Sequence, residues 1–323
     1  MGNFLIADHT KPPQLTRPSF SGHQTFPFRY MWLKKGVDAV ARDKTGTVFS
    51  SEDATVTLGV GKNMVSSIRH WCSVARLIKT DSGQRGKLVP TEFGKVIFNS
   101  KDGLDPYLED PATLWLIHWQ IATNINQATT WYWVFNILRK NRFSLDILKK
   151  ELYEWAQRTY EDRQQTGKKL RTFSDNTFQR DVNCFIRTYC QSRHNHGIIE
   201  ESFDSPLVEL NLITELPDSN EYEFQRGKKE TLPVEVVAAT LDAFWTLRFP
   251  KRDTLPFSEL MYASLSPGRI FRLDEDTMTT YLEDLAQHTD RALQYDETAG
   301  LKQVYRDEGL NLNTMELLKR YYG

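Results

Sequence analysis

The sequence predicts a mainly α-helical protein in which small β-hairpins form wings beside the helices. Two observations carry this prediction. Apolar residues recur at helical spacing, first at Met31, Trp32, Leu33, Val37 and Val40. Three helical windows are each followed by two short apolar runs around a turn. Because helix followed by hairpin is the order of a winged helix, we expect tandem winged-helix units around a central, tryptophan-rich helical pair.

Length and composition allow several packed units. The chain has 323 residues, of which 40% are hydrophobic, so it can bury more than one core. We divide it into a tail at 1–17, a winged-helix domain at 18–104, a central helical region at 105–165, a second winged-helix-like unit at 166–232 and an acidic winged-helix-like unit at 233–323.

The sequence contains no signal for a membrane or for secretion. Its most apolar window, 114–121, is far short of the ~20 residues that span a bilayer. The three cysteines are too few and too odd in number for a disulfide framework, and no signal peptide is visible. We therefore expect a cytoplasmic protein.

The formal net charge of -1 hides two opposite poles. Residues 60–95 hold seven basic residues against two acidic ones, a net +5. Residues 273–297 hold eight acidic residues against one arginine, a net -7. The first pole suits a phosphate-rich partner, whereas the second suits a protein partner or a solvated face.

Residues 58–71, LGVGKNMVSSIRHW, look at first like a phosphate-binding loop. Such a loop needs four residues between its first glycine and the Gly-Lys pair, and then Ser or Thr. Here Gly59 is only two positions before Gly61, and Asn63 follows Lys62. The preceding segment also has a helical pattern where a strand is required. The stretch instead predicts the turn and third helix of a helix-turn-helix.

The polar side of this third helix, predicted to run to Leu77, is expected to face the DNA major groove. The residues concerned are Lys62, Asn63, Ser66, Arg69 and His70. The hairpin in residues 77–94 is the predicted wing, with Gln84, Arg85 and Lys87 beside the backbone. A winged helix used only to dock another protein is the alternative interpretation.

A second basic window lies in residues 168–193, which hold six basic residues against two acidic ones. Arg180 and Arg187 fall on a predicted helix within it. Its net charge of +4 predicts a second phosphate-contacting surface. A solvated helix face explains the same pattern.

The segment GHQTFPFRYMWLKK, residues 22–35, offers one catalytic possibility. His23 as general acid or base and Arg29 as charge stabiliser could act on a phosphodiester without a metal. Alternatively, the loop packs Phe26 and Phe28 into the core while Arg29 pairs with a carboxylate.

The acidic group Asp105, Glu109 and Asp110 offers another possibility, because clustered carboxylates can hold Mg²⁺ or Mn²⁺ against a phosphodiester. The alternative is structural. Asp105 and Asp110 each precede a proline, which is the pattern of an Asp N-cap followed by Pro at the first helical position.

Two further patterns have simpler explanations. Cys184, Cys190, His194 and His196 do not have the spacing of a standard zinc site, so core thiols and a polar loop are favoured and no zinc is expected. In SPGRIFRLDE, residues 266–275, a turn followed by a helix start accounts for the Ser-Pro-Gly run.

These segments, in their order along residues 19–323, resemble a bacterial family known as domain of unknown function 4007. The match also includes TTWYWVFN, RDVNCFIRTY and SPLVELNLI. The family includes the SspB-type component of DNA phosphorothioation systems. The resemblance assigns no catalytic residue, so the candidates above stand on their chemistry alone.

The resemblance implies a winged-helix protein that binds double-stranded DNA and nicks it, in a system that defends against phage. Its implied partners are a cysteine desulfurase, an ATPase and an ATP-pyrophosphatase-like sulfur transferase, which replace a non-bridging phosphate oxygen with sulfur. We hold two alternatives open. One is a non-catalytic adaptor that recruits these enzymes through the acidic C-terminal unit, and the other is a winged-helix transcription regulator.

Overall fold

The first helices and the first hairpin follow the predicted order. The computed structural model describes residues 3–6, 14–16, 18–84, 86–164, 173–191, 205–307, 309–310 and 312–323. The first unit comprises α1 (Tyr30–Arg42), α2 (Ala54–Leu58), α3 (Lys62–Val74), the antiparallel strands β1 (Ile78–Thr80) and β2 (Leu88–Pro90), and α4 (Glu92–Phe98).

Two residues with positive φ set the ends of α2 and α3. Gly59 ends α2 in the left-handed conformation, with φ of 64°, as its position after the apolar pattern predicts. The third helix ends at Val74 rather than at the predicted Leu77, because Arg76 takes a φ of 52° and turns the chain toward β1. Asp53 stands at the N-cap of α2, but its side chain makes no capping hydrogen bond.

The central helical pair consists of α5 (Pro111–Ala122) and α6 (Thr129–Asn136). Every residue of α6 is buried, and so is every residue of α5 after its first proline. Helices that are apolar on all sides belong inside a protein, with neighbours all round. The four tryptophans of this pair are all buried. Within the described ranges, no helix has both the length and the apolar character needed to cross a membrane.

In both later units a short strand comes before helices, and a hairpin follows them. The second contains β3 (Arg142–Ser144), α7 (Leu145–Gln164), α8 (Asp175–Tyr189), a 3-10 helix (Pro206–Leu210), β4 (Ile213–Glu215) and β5 (Glu221–Phe224). The third contains α9 (Val234–Arg248), β6 (Thr254–Pro256), α10 (Phe257–Tyr262), α11 (Pro267–Ile270), α12 (Glu275–His288), β7 (Leu293–Thr298), β8 (Leu301–Arg306) and α13 (Thr314–Tyr322).

Both predicted hairpins in these units are confirmed, and each gains a third strand. The antiparallel sheets have the order β3-β5-β4 and β6-β8-β7. Strands β3 and β6 are three residues long, too short to show an alternating pattern in the sequence. The fold is therefore mainly helical with small hairpins, as predicted. The tandem winged-helix arrangement and the domain boundaries stay predictions.

The N-terminus differs from the predicted tail at residues 1–17. Phe4–Ile6 form a buried 3-10 helix that packs against α4 and α9. Just before it, the Asn3 side chain donates to the carbonyl of Ala239 at 2.7 Å and to Asp242 at 3.0 Å. Three residues are too few to show a period, so burial of this segment has no signal in the sequence.

Buried polar side chains join the first unit to the central pair. The Arg76 guanidinium donates to four oxygens of Gln120 and Thr123, at 2.7–3.0 Å. Burial lowers the pKa of Arg76 to about 9. Asn124 donates to the carbonyl of Val74 at 2.9 Å, and Gln120 donates to that of Leu5 at 2.8 Å. Polar side chains in and just after α5 thus donate hydrogen bonds to backbone carbonyls of the neighbouring segments.

His118 joins three elements in the centre of the molecule. Its Nε2 lies 3.0 Å from the carbonyl of Ile270, and its Nδ1 lies 2.8 Å from the hydroxyl of Tyr189. A carbonyl can only accept, so Nε2 carries the proton and Nδ1 accepts from the tyrosine. Burial lowers the pKa of His118 to about 3.

We expect His118 to make the fold less stable in acid. Its folded pKa lies below the ordinary value of 6.5, so the unfolded chain binds the proton first as pH falls. This contribution is fully present above about pH 6.5 and decreases by roughly 1.4 kcal/mol per pH unit below it. Urea unfolding at pH 7 and pH 4.5 should show a smaller loss for His118→Gln than for the wild type. Equal losses would contradict the assignment.

Candidate nucleic-acid interface

The segment GHQTF, predicted as a catalytic loop, is held by one buried carboxylate on α8. Asp181 is 1% exposed and accepts three hydrogen bonds. They come from the backbone N–H of Ser21, from Nε2 of His23 at 3.0 Å and from the hydroxyl of Thr130 on α6 at 2.7 Å. Three donors are what a buried carboxylate needs to offset the loss of its water. Asp181 therefore joins the loop to α6 and α8.

Both ring nitrogens of His23 are engaged within the protein. Nε2 faces Asp181, and the backbone N–H of Thr25 donates to Nδ1 at 3.0 Å. Burial lowers the pKa of His23, whereas Cys184 and Asp181 outweigh burial and raise it to about 10. The Thr25 N–H opposes this rise, because Nδ1 can accept only while it is unprotonated. On that geometry we assign the neutral Nε2–H tautomer.

This arrangement changes the role expected of His23. A general acid or base needs a nitrogen within hydrogen-bond reach of the substrate. The His23 side chain is 1% exposed and has no nitrogen to spare. In this conformation it is a positioning residue, which fixes the loop through Asp181, rather than a group that meets a phosphodiester.

Neighbouring side chains also hold the carbonyls of this loop. The hydroxyl of Ser67 on α3 donates to the carbonyl of His23 at 3.0 Å. Trp71 Nε1 donates to the carbonyl of Phe26 at 2.9 Å. From α8, Arg187 Nη1 donates to the carbonyl of Thr25 at 3.3 Å. The loop is therefore the joint between α3 and α8.

The fixed loop has an unusual backbone. Ser21, Gln24 and Thr25 have positive φ, at 60°, 51° and 67°. This region is costly for a β-branched residue such as threonine and persists only where surrounding contacts determine it. Gln24 and Thr25 are exposed. The loop therefore presents a rigid, polar tip between two helices.

His70 corrects the prediction for α3. It was expected to face the major groove with its neighbours, but its Nε2 is buried and its ring packs against the loop. A Cβ on Gly22 would lie 2.5 Å from Nδ1 of His70, so only glycine allows this contact. Burial and the nearby His23 lower the pKa of His70 to about 3. It is part of the joint rather than of a surface.

The other predicted residues of α3 and α8 are exposed. On α3 they lie on the side away from the core, and on α8 Arg180 and Arg187 are seven residues apart, so they share one face of the helix. We call this surface, on both sides of the loop tip, the cationic face. It comprises Lys62, Asn63, Ser66, Arg69, Arg180 and Arg187.

The predicted wing is only partly described. Gln84 is exposed, and Lys87 is half-buried with its backbone N–H bonded to the carbonyl of Gln84 at 3.1 Å. Gly46 packs against the Lys87 side chain, which explains the partial burial. Arg85 lies outside the described residues.

Arg29 does not meet the role predicted for it beside His23. It is half-buried, and its guanidinium lies over the ring of Trp32 at 5.5 Å from the centroid. This is a cation–π contact on the first turn of α1. This contact agrees with the alternative interpretation, in which the loop packs its aromatic residues into the core.

Two of the three acidic candidates have structural roles, because their carboxylates accept hydrogen bonds from the backbone. Asp105 is 5% exposed, and its two carboxylate oxygens accept the N–H groups of Glu109 at 2.8 Å and Asp110 at 3.1 Å. Asp110 caps α5, as predicted, by accepting from Ala112 at 2.8 Å. No helix begins at Asp105, so the cap predicted there is wrong and a turn takes its place. Glu109 is exposed.

No metal ligand set is assembled in the part of the chain that is described. There, no group of three or more His, Cys, Asp or Glu side chains is placed to hold an ion. Cys184 and Cys190 are buried, while His194 and His196 lie outside the described residues. Asp105 and Glu109 do not form such a group, and the Asp105 oxygens already hold the backbone N–H groups of a turn.

Comparison with known proteins identifies the family. The model of the family described as protein of unknown function DUF4007 matches residues 20–322. The chain belongs to this DUF4007 family. A crystal structure of SspB superposes with a TM-score of 0.78 at 27% identity, covering 94% of this chain and 88% of that one. A magnesium ion-bound SspB crystal structure gives 0.76, with the same identity and coverage. No curated protein matches significantly.

The sequence did not reveal the residues that build this joint. Asp181 was counted only as an acidic residue in a basic window, and Thr130 and Ser67 were not singled out. Asp181 is 158 positions from His23, so no local spacing could link them. The one available signal was a lone carboxylate, on the apolar side of a helix pattern, which must find a partner if buried.

Asp181→Asn should loosen the loop. An amide offers one acceptor oxygen to three donors, so we expect the free energy of unfolding to fall by roughly 3 kcal/mol. The control is Asp175→Asn on the same helix, whose exposed side chain pairs with Lys149 at 3.3 Å. It should cost less than about 1 kcal/mol. Urea unfolding followed by tryptophan fluorescence compares the two, and equal losses would show that Asp181 does not hold the loop.

Proposed function

We propose that this chain binds duplex DNA through the cationic face and nicks one strand, in support of sulfur incorporation into the DNA backbone. The observation that carries the proposal is the cationic face itself. Four exposed cations and the polar tip of a rigid loop converge there from two helices that are far apart in the sequence. Phosphate contacts of this kind supply most of the affinity of proteins for DNA.

The charges of this face are available to a partner. Within the described residues, Lys62, Arg69, Arg180 and Arg187 have no carboxylate within 4.0 Å. An uncompensated group of cations repels itself, which an anionic partner relieves. Serine and asparagine on the same side of α3 supply hydrogen-bond groups suited to base edges or phosphate.

The system in which the chain works is proposed from its relatives. SspB is the structural match, and SspB-type proteins of the family belong to DNA phosphorothioation systems. We infer that the partners of this chain are the cysteine desulfurase, the ATPase and the ATP-pyrophosphatase-like sulfur transferase of such a system. A nick would give these enzymes access to the phosphate that is modified.

The nicking step of the proposal comes from the family resemblance. One structural relative is magnesium ion-bound SspB, which is compatible with Mg²⁺ or Mn²⁺ in nicking. The described residues of this chain do not form a matching set of ligands, so no step is assigned to a metal here. His23, Arg29, Asp105 and Glu109 remain the candidates, with His23 acting through the loop rather than on the substrate.

A second candidate function is a non-catalytic adaptor. It is favoured by the engagement of both His23 nitrogens and both Asp105 oxygens inside the protein. The acidic residues of α12 and β7 would then dock a modification enzyme. DNA binding through the cationic face is common to both functions.

Removing charge from the cationic face should weaken DNA binding and its dependence on salt. Each lost phosphate contact lowers the slope of log K against log salt by about 0.9, so Arg69→Ala with Arg180→Ala should lower it by roughly two. The matched control is Arg42→Ala, a 78% exposed arginine on α1. An unchanged slope in the double variant would contradict the proposed DNA interface. Strong preference for one palindromic site would favour a transcription regulator.

Nicking is tested with supercoiled plasmid. We expect the purified chain to convert the plasmid to open circles and not to linear DNA. Parallel reactions with Mg²⁺, Mn²⁺ or EDTA show whether nicking needs a metal ion. If His23 positions the loop, His23→Ala should lose DNA affinity together with nicking, because the loop joins the two helices of the interface. Loss of nicking at unchanged affinity would instead make His23 catalytic. If no open circles form with any metal, the result supports the non-catalytic adaptor.

A further inference from the structure

A second group of arginines lies at the other end of α6. The short helix α11 packs against both α6 and α9, so it links these two helices. Arg269 is on α11, Arg248 is the last residue of α9, and Arg139 follows the end of α6 by three residues. The charge of Arg139 acts on Arg269 and the charge of Arg248 acts on Tyr132 of α6, so three arginines from distant parts of the sequence share one neighbourhood.

Arg269 is fixed in place by the end of α6. Its Nε donates to the carbonyl of Asn136 at 2.8 Å, and its Nη2 lies 3.5 Å from the carbonyl of Leu138. Burial and the charge of Arg139 lower the pKa of Arg269 to about 10. The guanidinium is thus held rigidly with like charge beside it.

Tyr132 marks the floor of this group. Its side chain is 8% exposed, and the charges of both Arg248 and Arg269 act on its hydroxyl. Arg139 and Arg248 are exposed, whereas the tyrosine is buried and its hydroxyl is hydrogen-bonded to Ser264. The result is a positively charged surface with two exposed arginines near a buried tyrosine.

Helix capping explains only part of this arrangement. Arginines satisfy carbonyls at helix C-termini and interact well with the helix dipole, which accounts for Arg269. Among the described residues, the side chains of Arg139 and Arg248 make no hydrogen bond, and no carboxylate lies within 4.0 Å of any of the three. Two uncompensated cations beside a third oppose folding unless an anion offsets their repulsion.

The basic surface continues beyond the three arginines. Arg248 and Arg252 lie on the ring of Phe249, at 5.9 and 4.6 Å from its centroid. Trp245 Nε1 donates to the carbonyl of Arg252 at 2.8 Å, which fixes the turn after α9. Lys251 in this turn is exposed. The surface is therefore both extended and ordered, as a polyanion would require.

We propose that Arg139, Arg248 and Arg269 bind a phosphodiester group of duplex DNA, as a second contact beyond the cationic face. This inference rests on the proposed function, because it assumes the same DNA. At α6, Thr130 contacts the support of the first surface and Asn136 contacts Arg269. The eight residues of α6 span ~12 Å, so this rigid helix separates the two surfaces. This separation is shorter than a DNA binding site, so one duplex can contact both surfaces.

The test removes the two exposed arginines and keeps Arg269, which supports the fold. Arg139→Gln with Arg248→Gln should lower the salt slope of duplex binding by roughly two and the affinity by roughly ten- to hundred-fold at ~0.1 M salt. The matched control is Arg142→Gln, since exposed Arg142 pairs with Glu223 at 2.7 Å and its charge is already compensated. The control should bind like the wild type. Urea midpoints establish that all variants fold.

The outcomes separate this inference from the proposed function. If the Arg139 and Arg248 variant binds with the wild-type slope while the Arg69 and Arg180 variant does not, this second contact is wrong and the cationic face stands. If the wild type binds no duplex, both fail. Calorimetric titration with inorganic phosphate gives a third arm. Phosphate binding that the double variant loses, with an unchanged DNA slope, would assign the site to a free anion and overturn the DNA contact.

Discussion

The whole structure depends on two helices that have no solvent side. Helices α5 and α6 are buried all round, so neither can be stable until the other units surround them. Their polar side chains make this requirement specific. His118 and Gln120 of α5 bond to α11 and to the N-terminal segment, and Asn124, just after α5, bonds to α3. A buried polar group without its partner is costly, so these contacts select one arrangement of the units among many with equally apolar surfaces.

The same constraint gives the chain its surface chemistry. Helix α6 holds Asp181 through Thr130 near one end and Arg269 through a backbone carbonyl at the other. Asp181 in turn fixes the loop that joins α3 to α8, while Arg269 is held at the end of α6 close to the charge of Arg139. Helix α6 thereby supports exposed cations that come from four separate parts of the sequence. A net charge of -1 conceals this, because the acidic residues lie mostly elsewhere.

Local patterns predicted much of the fold, and distance in the sequence limited the rest. Helices α1, α3 and α8 and all three hairpins followed from periodicity and turn residues, which act within a few positions. The edge strands β3 and β6 were too short to have a period. His70 was assigned to the polar side of α3 because an imidazole is polar, yet it packs on Gly22, where only a neighbour lacking a Cβ leaves room. Asp181 could not be paired with His23 because nothing in a helix pattern identifies a partner 158 residues away.

The joint also limits how any chemistry at this surface can be interpreted. His23, Asp181, Ser67 and Arg187 hold the loop between the two helices of the cationic face, so a change in any of them moves the surface that would meet DNA. Positioning and binding are therefore coupled through the same hydrogen bonds. A group that acts on a phosphodiester must have an unengaged atom at the surface, and the exposed residues of the loop tip are Gln24 and Thr25, neither of which titrates near neutral pH. The geometry thus favours a loop that orients the DNA backbone over one that exchanges protons with it.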